Sequence, residues 1–403
     1  MEVNLREVEA ARERIRGFVY LSPCQRSEDL SLMTGQQVYL KLDNLQRTGA
    51  FKERGALNKI LTLSDSEKQR GVIAASAGNH AQAVAYHATQ RGIRSEIVMP
   101  LNTPLVKVSS TRGFGAEVIL YGANYDEACT EALRRSSELG LTFLHPFDDA
   151  AVIAGQGTIG LEMMDQVAGL EAVVIPIGGG GLISGVACAI KETDPRIRVI
   201  GVQTERLPSM LRAVEAGTQV TLPSEATIAD GIAVRRAGDV TLPLVQRYVD
   251  EIVTVDEEEV ANAILVLLER EKTLAEGAGA VALAALLQQK TELDAKRTAV
   301  LVCGGNIDVS LLAKIIERGL VKDGRWFRLR IHLSDRPGAL HQVTKIIADL
   351  RANIVQTQYD RTYYGVNLGD TAIDITMETR GPAHIESLIQ ALTADGYRLE
   401  RIQ

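Results

Sequence analysis

The residues best able to do covalent chemistry centre on Lys52, within Thr48-Gly49-Ala50-Phe51-Lys52-Glu53-Arg54-Gly55-Ala56. A lysine that leaves a glycine-bearing turn at the start of a helix-forming run can be held in a pocket. Loss of hydration there lowers its pKa and leaves a neutral amine able to attack an aldehyde. Phe51 offers a flat face for a planar group. Most lysines are solvated surface charges, so Lys52 needs partners, and three other stretches supply them. Gly178-Gly179-Gly180-Gly181 lies between a buried-strand pattern and a helix pattern. Four residues without side chains let backbone N–H groups converge on an anion at the positive end of a helix dipole. A tight turn alone does not need four glycines, which lose more backbone freedom on folding than other residues. No Gly-Lys-Ser/Thr follows, and the tetraglycine stretch itself lacks the Gly-x-Gly-x-x-Gly spacing of dinucleotide folds, so a small phosphate ester fits better than a nucleotide. Ser76-Ala77-Gly78-Asn79-His80 closes another strand at a helix start. Its amides and the Ser76 hydroxyl suit a carboxylate and the Asn79 amide suits a phenolic oxygen, although Asn79 also reads as a plain helix cap. Cys303, before Gly304-Gly305-Asn306, is either a site thiol or a small buried hydrophobe.

The elements that position these residues follow from apolar spacing. Helices are expected at 3–16, 80–90, 104–112, 124–139, 182–192 and 274–288, with one opened by the capping pair Asp256 and Glu259. Strands are expected at 38–42, 71–76, 97–100, 118–121, 172–177, 198–202, 252–255 and 299–302. This alternation predicts an α/β fold, with two open, doubly wound, mostly parallel sheets and the chemistry at the strands' carboxyl ends. Past residue 326 the order becomes strand 328–333, helix 341–351, strands 353–361 and 371–378, helix 382–395 and strand 397–402. That is the β-α-β-β-α-β order of a ferredoxin-like α+β domain. The expected organisation is a catalytic domain over 1–322, its small subdomain at about 53–149, and a second domain over 327–403.

Composition narrows the class. The chain has 403 residues, so two or three domains are expected. A net charge of -7 argues against nucleic acid or an anionic membrane as partner. No apolar run reaches the ~18 residues that span a bilayer. The start, Met1-Glu2-Val3-Asn4-Leu5-Arg6, has acidic residues and no apolar core, so no signal peptide is expected. The four cysteines (Cys24, Cys129, Cys188, Cys303) form no close pair and are expected as reduced thiols in a cytoplasmic protein. The six histidines have no ligand spacing, so no metal site is expected.

Taken in order, Phe51-Lys52, Ser76 to His80, the tetraglycine and Cys303-Gly304-Gly305-Asn306 resemble the serine/threonine dehydratases of pyridoxal-phosphate fold type II, the tryptophan-synthase-β type. Gly155 to Glu162, Ala229 to Val234 and Glu276-Gly277-Ala278-Gly279-Ala280 extend the resemblance over roughly residues 10–320. The C-terminal stretch, with Asp335-Arg336-Pro337-Gly338-Ala339-Leu340, is similar to ACT domains, and the combination resembles the medium-length threonine ammonia-lyases. The resemblance implies dehydration and deamination of L-threonine to 2-oxobutanoate and ammonia, with pyridoxal 5'-phosphate as cofactor. It implies that Lys52 is the cofactor-bonded amine and the α-proton acceptor, that Phe51 packs on the ring and that Asn79 bonds its phenolic oxygen. Gly178, Gly179, Gly180, Gly181 and Leu182 would cradle the phosphate, and Cys303 would lie by the ring nitrogen as a neutral thiol. Such a ring is a poorer electron sink, which favours prompt elimination over transamination. Ser76, Ala77, Gly78, Asn79 and His80 would take the substrate carboxylate, with Gly231 and Glu276 lining the pocket.

Two departures bear on this. Ala77 stands where serine racemases of this fold carry a second acid/base serine. Gln203 stands where metal-dependent relatives carry a glutamate ligand. L-serine and a β-hydroxyaspartate stay open as substrates, because a pocket separates substrates differing by one methyl by only ~1–3 kcal/mol. A non-catalytic amino-acid sensor is the alternative from another class. For the C-terminal domain the resemblance implies isoleucine or valine as effector and a homotetramer or homodimer, with a plain oligomerisation unit as the alternative; Asp335 and Gly338 fit a ligand turn and a plain β-α turn equally.

Overall fold

The computed structural model describes residues 3–293, 295–360 and 369–402. They form two compact units that divide at Asp308/Val309.

Among its described residues the first unit holds ten strands: β1 Cys24–Ser27, β2 Gln37–Leu42, β3 Val72–Ala75, β4 Ser95–Met99, β5 Glu117–Leu120, β6 Thr142–Phe143, β7 Ala172–Pro176, β8 Arg198–Thr204, β9 Glu251–Val255 and β10 Arg297–Val302. They build a six-stranded sheet, ordered β1-β2-β10-β7-β8-β9, and a four-stranded sheet, ordered β5-β4-β3-β6. All pairings are parallel except that of β1 with β2, which closes one edge. Every residue of β3, β4 and β7 is buried. Helices cover both faces, which is why these strands read as continuous apolar runs rather than alternating ones. Ser76, the tetraglycine and Cys303 follow the carboxyl ends of β3, β7 and β10.

Helix Lys52–Thr62 begins at the reactive lysine and is sealed into the unit, with seven of its residues buried. It packs on helix Ala150–Gln166, which also packs on helix Gly181–Thr193 after the tetraglycine. Glycines allow both close approaches: a Cβ at Gly155 would lie 2.6 Å from the Arg54 carbonyl oxygen, and one at Gly185 would lie 2.2 Å from that of Ile153. One buried helix thus sets the spacing between lysine and tetraglycine. Two residues past Lys52, Arg54 is fully buried and joins Asp43 at 2.7 Å and Glu162 at 2.5 Å. Lys41, also fully buried, joins Glu162 at 2.6 Å. Two cations and two anions balance, as enclosed charges must.

Helix 274–288 begins later than its sequence predicts, at Gly277. Leu274 gives its carbonyl oxygen to the Asn44 side chain and Glu276 gives its amide to Gly304, which holds 274–276 extended.

The second unit has β11 Trp326–Ser334, β12 Asn353–Asp360, β13 Asp370–Glu378 and β14 Arg398–Ile402, in an antiparallel sheet ordered β12-β13-β11-β14. Helices Ala339–Asp349 and Pro382–Ala394 bury Val343, Ile347, Leu388 and Leu392 against Leu329, Ile331 and Ile375. The order is ferredoxin-like, as the sequence predicts. The end of the expected strand 353–361, Arg361, lies outside the described residues. The division falls before the expected boundary near 322–327, because helix Val309–Lys322 packs on β11.

Candidate active site

A cavity of about 810 Å³ opens between the two sheets of the first unit. Every residue singled out there from sequence lines it: Phe51, Lys52, Ser76, Ala77, Gly78, Asn79, His80, Gly178, Gly179, Gly180, Gly181, Leu182, Gly231, Glu276 and Cys303. Asp335 and Gly338 lie in the second unit, where Gly338 (φ +90°) precedes helix Ala339–Asp349.

The Lys52 amine donates to the Pro146 carbonyl oxygen at 2.7 Å and sits 5.2 Å from the centre of the Phe51 ring. Burial lowers its pKa to about 8, against the opposing pull of Cys303 and Glu276. About a tenth of the amine is therefore neutral at pH 7, far more than for an ordinary lysine. Cys303, 2% exposed, stays a neutral thiol, since burial and then Glu276 push its pKa well up. Burial and then Asp230 raise the Glu276 carboxyl to about 7.

Gly178 to Leu182 wrap the start of helix Gly181–Thr193. Among the described residues, none of their backbone amides donates to an acceptor within the chain. Gly180 has φ +100°, a conformation that side chains disfavour. Behind the turn, Asp148 accepts the amides of Asp239 and Val240 at 2.9 Å, and the Thr241 hydroxyl donates to Gly179 O at 2.6 Å. This bracing orders the turn and leaves its own amides free.

Gly78, not Asn79, caps helix Asn79–Thr89. The Asn79 side chain instead donates to Glu276 at 2.6 Å and accepts from Asn306 at 2.8 Å. His80 donates from Nε2 to Leu144 O at 2.9 Å, so Nδ1 is bare, and it has no partner. Burial and then Lys52 lower its pKa to about 3, so the ring is neutral. Sequence reasoning assigned no role to His145, Phe147, Asp148, Thr241 or Asn306. Asn306 stood in a glycine motif, the one signal available. Phe147, Asp148 and Thr241 meet the tetraglycine turn or its brace through contacts distant in sequence, and His145 accepts the nearby amides of Phe147 and Asp148.

A family model described as pyridoxal-phosphate dependent enzyme matches residues 15–304. The chain belongs to that family. It is 48% identical to the L-threonine ammonia-lyase of Thermotoga maritima over 98% of this chain and 99% of that one. It is 47% identical to the L-threonine ammonia-lyase of Geobacter sulfurreducens over 98% of each. Among solved structures, maize serine racemase superposes with a TM-score of 0.75 at 34% identity, covering 80% of this chain and 99% of that one. The processed form of threonine deaminase isoform 2 from Solanum lycopersicum superposes with a TM-score of 0.73 at 38% identity, covering 78% and 91%.

The residues present fit pyridoxal 5'-phosphate. The free amides after β7 match a phosphate, the depressed amine matches an aldehyde, and an aromatic ring and a neutral thiol share the cavity. The Gln203 side chain is occupied, accepting from the Leu211 amide at 2.9 Å. Among the described residues no cluster of His, Cys, Asp or Glu gathers as a metal site. No helix among them is long and apolar enough to cross a membrane.

Proposed function

We propose that this protein is a threonine ammonia-lyase that converts L-threonine to 2-oxobutanoate and ammonia and also accepts L-serine. The observation that carries this reading is the convergence of a desolvated amine, a row of unsatisfied amides and a neutral thiol on one cavity. Similarity to two L-threonine ammonia-lyases along nearly the whole chain supports it.

Bound pyridoxal 5'-phosphate supplies an aldehyde for the substrate amine and a ring that draws electrons from the α-carbon. Lys52 would hold the group, and its Nζ would take the α-proton; a pKa near 8 makes it a competent base at neutral pH. The amides of Gly178 to Leu182 bind the phosphate. Phe51 would offer its face to the ring, Asn79 a donor to the phenolic oxygen, and Cys303 an uncharged neighbour to the ring nitrogen. Ser76, Ala77, Gly78, Asn79 and His80 receive the substrate carboxylate, with Gly231 and Glu276 beside it. The neutral His80 ring spends its one N–H on Leu144 O, so His80 would meet the carboxylate through its backbone amide.

We read the second unit as a regulatory module of the ACT type that responds to isoleucine or valine, with Asp335 and Gly338 at its ligand turn. We expect the protein to be a cytoplasmic homodimer or homotetramer. The test is direct. Purified protein is assayed for 2-oxobutanoate from L-threonine, with and without each effector, and the cofactor is fixed by borohydride and located by peptide mapping. Absence of product, or a fixed cofactor elsewhere than Lys52, overturns the reading.

A further inference from the structure

Asn306 ends the turn after β10, and its amide nitrogen donates twice, to the Thr48 carbonyl oxygen at 2.8 Å and to Oδ1 of Asn79 at 2.8 Å. Asn79 Nδ2 then donates to Oε1 of Glu276 at 2.6 Å. Glu276 is 5% exposed. A peptide carbonyl only accepts, so Thr48 fixes which end of the Asn306 amide faces it. The same NH₂ faces Asn79, so Asn79 must turn its oxygen toward Asn306. Its own NH₂ is left for Glu276 and for the cavity. Space for this chain comes from two glycines. A Cβ at Gly49 would lie 2.4 Å from Asn306 Oδ1, and one at Gly304 would lie 2.2 Å from Glu276 Oε1.

The orientation matters because an asparagine amide is nearly symmetric in shape and opposite in polarity at its two ends. With its nitrogen toward the cavity it offers a donor to a phenolate oxygen. Flipped, it offers an acceptor and repels one. We propose that Asn306 and Glu276 are positioning residues that lock the Asn79 amide with its second N–H aimed at the phenolic oxygen of the bound cofactor. This rests on the pyridoxal-phosphate reading above.

The test compares cofactor affinity, the absorbance of the bound cofactor against pH, and the melting temperature of the cofactor-free full chain. In Asn306→Asp a second oxygen replaces the NH₂, and Asn79 turns its nitrogen toward the new carboxylate. The expected result is a cofactor Kd raised about tenfold or more and a shifted absorbance titration. Asn306→Ala frees Asn79 without reversing it, so its effect has the same sign and is smaller. In the double variant Asn306→Asp, Glu276→Gln the chain can bond in the reverse sense, with the introduced glutamine amide donating to Asn79. It regains part of the thermal stability lost in Asn306→Asp and none of the cofactor affinity. A merely structural role would make affinity follow stability. If Asn306→Asp and Asn306→Ala keep wild-type affinity and absorbance, or if the double variant regains affinity, the proposal is overturned. Failure of the cofactor reading looks different: the wild-type chain then binds no pyridoxal phosphate, and the proposal falls with it.

Discussion

The Phe51 amide donates to the Cys303 carbonyl oxygen at 2.9 Å, which makes the residue before the lysine a backbone neighbour of the thiol. The bond pins the lysine turn to the end of β10 and shuts the thiol in. Cys303 is 2% exposed and its pKa is pushed well above the usual thiol range by burial, then Glu276. It will therefore resist iodoacetamide in the native protein, while half-buried Cys129 reacts first. Peptide mapping after timed labelling checks the order.

Lys52→Ala will lower kcat with L-threonine by about 10²–10⁴-fold or more, as loss of a positioned base does. In the cofactor-free wild type, the rate of amine acylation at Lys52 will titrate with a midpoint of about 8, not that of an ordinary lysine. Mass spectrometry of the Lys52 peptide across pH reads both the site and the midpoint.

Glu276 gives a pH signature. Its carboxyl is raised from 4.5 to about 7 by burial, then Asp230, so the folded chain holds a proton that the unfolded chain has released. The stability this provides is full below about 4.5 and is lost as pH rises through about 7. Glu276→Gln has no such loss, so across that window its stability in the cofactor-free form will gain on the wild type by about 3 kcal/mol. Denaturant unfolding at pH 5 and pH 8 measures the change.

Gly180→Ala will be severe. Its φ of +100° strains any side chain, and the added Cβ would lie 2.7 Å from Thr241 Oγ1. Strain and crowding together predict about 2–4 kcal/mol of destabilisation and a weaker hold on phosphate esters. Gly217→Ala is the control, because φ is +69° but nothing lies within 4 Å. It should show the strain alone, about 1–2 kcal/mol. Calorimetry of both variants separates the two effects.

Arg54→Met leaves Asp43 and Glu162 enclosed with only Lys41 to balance them. Breaking such a buried network predicts about 3–5 kcal/mol of lost stability. Replacing Arg196, an exposed partner of Asp194, should leave the melting temperature nearly unchanged. Thermal scans of the two variants test the contrast.

Much of this was legible before any coordinates. Capping by Asp256 and Glu259, strand-length apolar runs and strand-end glycines each carry a local physical signal, and the structure places those elements within a few residues of expectation. Helix Ala150–Gln166 was hidden as an element. Thirteen of its residues are buried, so no polar face marks a period. The pairing of β1 with β2 and the strand order come from contacts across the chain, which spacing alone does not encode. Within the site, glycines and Lys52 announced themselves by type. Asp148 did not, because its work is to accept amides from Asp239 and Val240 far along the chain.

The turn from Gly178 to Leu182 offers an anion peptide N–H groups, which do not titrate in the working range. Its grip therefore has no acid or base form of its own. Any pH dependence of phosphate-ester capture there belongs to the guest, whose second ionisation falls near ~6, and to the charged neighbours around it. A host without an ionisable contact keeps one setting while the amine and carboxyl across the cavity change theirs.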